Sequence, residues 1–70
     1  MPNRYKAVIK QEAEWWIGWI EEVPGVNSQE STREKLLESL RITLREALEF
    51  NRKDAVSSAG ANYEEELIAV

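Results

Sequence analysis

"EWWIGWIEEVPGVNSQ", residues 14–29, decides the fold. Its opening, residues 14–22, is rich in aromatic and β-branched side chains and reads as a strand. Pro24 and Gly25 then break the run, and "VNSQ" reads as a short third strand or extended segment. All three tryptophans of the chain, Trp15, Trp16 and Trp19, lie in this stretch. That is more indole surface than a 70-residue domain needs in one place.

Toward the amino terminus, "RYKAVIKQ", residues 4–11, alternates: Tyr5, Ala7 and Ile9 on one side, Lys6, Val8 and Lys10 on the other. The short connection around Glu12 and Ala13 predicts an antiparallel hairpin with the second strand. A turn centred there places residues whose numbers sum to 25 opposite one another. Ile9 then meets Trp16, Ala7 meets Gly18, and Tyr5 meets Ile20. On the reverse side Lys10 meets Trp15, Val8 meets Ile17, and Lys6 meets Trp19. Gly18 beside Ala7 makes a low patch where a helix lies close, so Trp16, Ile20, Tyr5 and Ile9 belong under that helix.

Toward the carboxyl terminus the period changes at Ser31. Ser31 and Glu34 fit a capping box, with Thr32 as the competing cap. Leu36, Leu37, Leu40, Leu44, Ala47 and Leu48 mark one face of a helix running to about Asn51 or Asp54. Glu34, Glu38, Arg41, Arg45 and Glu49 fall on its solvated side. Ile42 is an apolar residue among those charges. "SSAGAN", residues 57–62, reads as a loop with Gly60 as its turn residue. "YEEELIAV", residues 63–70, reads as a fourth strand. One domain over residues 1–70 is expected, in the α+β class: a small antiparallel sheet, β-β-β-α-β, with one long helix packed on one face.

One helix cannot cover both faces of a sheet. The reverse side therefore exposes Val8, Trp15, Ile17 and Trp19, flanked by Lys6 and Lys10. Tryptophan is enriched where binding energy concentrates, so these four residues, together with Ile42, are the candidate protein interface. A domain this small buries little, and with no cysteine available for disulfides the remaining aid to stability is association. A homodimer or higher oligomer is expected.

Chemistry is scarce. The chain has no histidine and no cysteine, so it has no imidazole base, no thiolate nucleophile and no ordinary zinc site. Gly18, Gly25 and Gly60 are too far apart to form a phosphate loop. Twelve glutamates and one aspartate, Asp54, are present, but Glu21 and Glu22 point to opposite faces of a strand, as do successive members of Glu64–Glu66. Ser28, Ser31 and Thr32 read as turn and cap residues. No catalytic residue, cofactor or metal is expected, and the protein does not read as an enzyme. The net charge of −4 argues against direct nucleic-acid binding and suits a basic protein partner. There is no signal peptide or membrane-spanning run, so a cytoplasmic protein is expected.

The ordered series "YKAVIKQ", "WWIGWIEEVPGVNSQ" and "STREKLLESLRITLREALEF" resembles the HicB family of antitoxins over residues 4–50. Pro24 and Gly25 match that family's turn, and Ser28 and Gln29 the segment before its helix. Thr32, Arg33 and Glu34 match the helix start, and Leu40, Glu46, Ala47 and Leu48 the helix pattern. Glu30 stands where the family often has glycine, and Glu38-Ser39 where it often has Glu-Asn.

The resemblance implies a partial ribonuclease-H-like fold without a nuclease site. It also implies a partner, a small basic HicA-like toxin that cleaves messenger RNA and is neutralised by direct contact. A solitary HicB-like domain that self-associates in a structural or regulatory role is the alternative. Residues after 50 hold no pattern of a helix-turn-helix or ribbon-helix-helix, so the resemblance carries no expectation of direct contact with DNA.

Overall fold

The computed structural model describes residues 4–70. Three strands, β1 (Ala7–Glu12), β2 (Trp15–Ile20) and β3 (Asn27–Glu30), precede one helix, α1 (Arg33–Ala59). The sheet is antiparallel in the order β1-β2-β3, and α1 packs on one of its faces. The class is α+β, as expected.

The hairpin turns one residue later than its sequence suggests. Glu12 pairs with Trp15, Ile9 with Gly18, and Ala7 with Ile20, so paired numbers sum to 27. The turn residues are Ala13 and Glu14, with Ala13 at φ 55°. That left-handed conformation is normally taken by Gly, Asn or Asp, which is why no composition signal marks it. The shift moves every partner by two positions. Two is the period of a strand, so the assignment of side chains to faces is unchanged.

Between β2 and β3 the chain makes a tight turn. The Val26 amide donates to the Val23 carbonyl at 3.3 Å, with Pro24 and Gly25 between them and Gly25 at φ 92°. Proline followed by a positive-φ glycine is the signature of a type II turn. The turn folds Val23 and Val26 back under the sheet, where both are buried. The Ile20 amide donates to the Val26 carbonyl at 3.0 Å and so begins the pairing that β3 continues.

Thr32, not Ser31, caps the helix. Its backbone is extended at φ −135°, ψ 159°, and its hydroxyl accepts from the Lys35 amide at 3.1 Å. The helix runs past Asn51 and Asp54 to Ala59, because residues 51–59 contain no proline or glycine to stop it; Gly60, at φ 74°, does. Near its end the Glu49 carboxylate accepts from Arg52 at 2.8 Å and lies 3.7 Å from Lys53. The Arg52 hydrogen bond and charge hold the Glu49 carboxyl below its ordinary range.

The core is small. Among the described residues the buried hydrophobic side chains are Ile20, Val23, Val26, Leu36 and Leu40. Ile9, Trp16 and Leu44 pack against them while partly exposed. Gly18 lets the helix approach: an added β-carbon would lie 2.9 Å from the Val8 carbonyl oxygen and 3.1 Å from Leu40 Cδ1. Tyr5, expected under the helix, sits at its rim and is 39% exposed. A part-buried hydrogen bond of 2.6 Å between the Ser28 and Ser39 hydroxyls ties β3 to α1.

The expected fourth strand does not form. Residues 63–70 pair with no strand. Gly60 and Asn62, both at positive φ, reverse the chain after the helix. Tyr63 and Glu65 then lie beside Arg52 and Val56, along the last turns of α1 and away from the sheet.

Candidate protein-binding face

Gly18 faces Leu36 and Leu40, which fixes the orientation of the whole second strand. Trp16, Gly18 and Ile20 point to the helix; Trp15, Ile17 and Trp19 point away from it. Pairing across the sheet then builds the open face in rows. Val8, Trp19 and Asn27 form one row, Lys10, Ile17 and Gln29 the next, and Glu12 with Trp15 the last. Four of the five candidate interface residues, Val8, Trp15, Ile17 and Trp19, are thus neighbours on one surface.

Trp15 and Trp19 are 43% and 41% exposed, while Val8 and Ile17 between them are half-buried. The charged residues around the indoles are engaged with each other. Lys10 Nζ lies 3.0 Å from Glu12 and Lys6 Nζ 4.0 Å from Glu21, while the Lys6 amide donates to the Glu22 carboxylate at 2.9 Å. The result is an apolar strip with a polar rim, the arrangement that interfaces use.

Ile42 does not belong to this surface. It is 47% exposed on the helix and lines a shallow depression with Glu30, Lys35 and Ser39. It lies on the flank of α1 beside the end of β3, on the helix side of the sheet, so Ile42 and the tryptophans cannot meet one partner on one flat surface.

Asn27 and Gln29 join the face without having been singled out as interface residues. Their alternation with Ser28 and Glu30 was visible in the sequence, but their place beside Trp19 and Ile17 depends on the pairing of β3 with β2. A second shallow depression lies between β1 and α1, lined by Tyr5, Ala7, Ile20, Leu37 and Leu44.

Among the described residues no group of three or more acidic side chains converges as a metal site would require. No helix among them is long and apolar enough to cross a membrane. The carboxylates are dispersed over the surface, and among the described residues Glu38 and Glu49 pair with Arg or Lys at helical spacing, Glu38 with Arg41 at 3.1 Å. No family model matches the chain, and no curated protein or solved structure matches it either.

Proposed function

We propose that this is a binding protein of the antitoxin type, which neutralises a small basic HicA-like ribonuclease by covering it. The observation that carries the reading is the exposure of Trp15 and Trp19, side by side with Val8 and Ile17, on the sheet face opposite the helix. Large aromatic side chains on an otherwise charged, acidic molecule mark a surface that gains by leaving water. The net charge of −4 favours encounter with a basic protein and disfavours nucleic acid as a direct partner. The ordered likeness of residues 4–50 to HicB antitoxins supplies the identity of the partner. The partial ribonuclease-H-like character of that family, a scaffold without its nuclease site, and a cytoplasmic location belong to the same proposal.

The test is co-expression with the product of any adjacent gene that encodes a small basic protein. The reading expects the two to co-purify and the growth arrest caused by the toxin to be relieved. Absence of a complex, with toxicity unchanged, refutes it. The alternative, a solitary domain that self-associates in a structural or regulatory role, is supported by the small core. It expects the same tryptophan face to be covered by a second copy, with sedimentation lowered in mass by Trp15→Thr and Trp19→Thr and no toxin bound.

A further inference from the structure

The two edges of the sheet are β1 and β3, and β1 is the longer. The Glu21 amide donates to the Lys6 carbonyl at 2.9 Å, so Lys6, Val8, Lys10 and Glu12 are the residues bonded to β2. The amides and carbonyls of Ala7, Ile9 and Gln11 then face outward along a free edge. Such an edge is a template for another strand. Beside it lies the apolar depression between β1 and α1. The segment at residues 63–70 belongs to no helix or strand, with Leu67 and Ile68 82% and 71% exposed.

Edge and segment match in charge. Arg4 and Lys6 lead into β1 and Lys10 lies within it; Glu64, Glu65 and Glu66 lead the segment. A parallel register with residue numbers sixty apart sets Glu64 beside Arg4, Glu66 beside Lys6, and Ile68 beside Val8. It also turns Leu67 toward Ala7 and the depression. The antiparallel register that keeps Ile68 beside Val8 sets Glu66 against Lys10 but Glu64 against Glu12, one opposite-charge and one like-charge pair where the parallel register has two opposite-charge pairs.

Within one chain this parallel register is out of reach. Glu65 lies beside Arg52, whereas Tyr5 lies by Leu44. The helix ends at Ala59, fifteen residues and about 22 Å past Leu44, and six fully extended residues carry Glu65 back no more than about 20 Å, short of Tyr5 beside Leu40 and Arg41. We propose that residues 63–70 of a second copy add as a parallel strand to the free edge of β1, the exchange being reciprocal across a two-fold axis. This contact leaves the tryptophan face open, so it stands or falls apart from the toxin-binding reading.

Sedimentation of the full chain tests it. The wild type should be a dimer, and the charge reversals Arg4→Glu/Lys6→Glu and Glu64→Lys/Glu66→Lys should each weaken the dimer by about tenfold or more. Mixing the two reversed chains restores both sets of opposite charges, so the mixture should dimerise as the wild type does. All four positions are exposed, and circular dichroism should find the fold of each variant intact. A monomeric wild type overturns the proposal. So does a dimer that both reversals leave intact, or a mixture that remains monomeric. A dimer lost through Trp15→Thr and Trp19→Thr but kept in the charge reversals also overturns it.

Discussion

Two small residues govern the hairpin in opposite ways. Gly18 is required: a β-carbon there meets the Val8 carbonyl and the methyls of Leu36 and Leu40. Gly18→Ala should destabilise the fold by about 1–3 kcal/mol, through overpacking where the helix crosses the sheet. Denaturant unfolding would measure it, and a neutral result would mean that the helix has room to lift. Ala13 is the converse case, an L-residue held at φ 55° in the turn. Ala13→Gly should stabilise by about 0.5–1 kcal/mol, because glycine reaches that conformation without strain. The role of Gly18 was legible because a glycine among tryptophans leaves an obvious gap. The turn at Ala13 was not, since "EAEW" lacks every residue type that announces one.

The strands and the helix were legible as elements, and the helix's buried stripe was read correctly at Leu36 and Leu40. Length was harder to read. The apolar period ends at Leu48, while good helix formers and the absence of a breaker carry α1 on to Ala59. Residues beyond Leu48 have no sheet beneath them, and Phe50 is 67% exposed. Hydrogen exchange should show this division. Amides of residues 40–47 should be protected to nearly the full unfolding free energy, and those of residues 52–59 should exchange about a hundredfold faster. Equal protection along the helix would mean that its last three turns are covered.

The expected fourth strand fails to form for a related reason. "YEEELIAV" has a strand's composition, but pairing needs an edge within reach, and the long helix carries the segment away from its own. The Glu49–Arg52 pair adds a weak pH dependence to this region. Its lowered carboxyl pKa means that the pair's support is present at neutral pH and is lost as pH falls through the lowered value. Helicity should therefore decline slightly on acidification, and less so in Glu49→Gln.

The molecule measures 51 × 23 × 15 Å, with a radius of gyration of 15.2 Å. A compact chain of this length would have one of about 11 Å. Among the described residues, a core of five buried side chains leaves the domain with little apolar burial of its own, and contact with another molecule would add to it. The tryptophan face was readable in advance from alternation alone, because a register error of two residues cannot exchange the sides of a sheet. Ile42 was readable as exposed, but its separation from the tryptophans needed the packing of α1.

The most direct measurement is the affinity of the purified protein for a basic ribonuclease of the kind the proposed function requires, compared with that of the Trp15→Thr/Trp19→Thr variant. Threonine keeps a strand former at both positions, so the fold should persist by circular dichroism. Loss of two hot-spot indoles should weaken binding by at least about a hundredfold. Undiminished affinity in a folded variant would contradict the assignment of this face to the toxin.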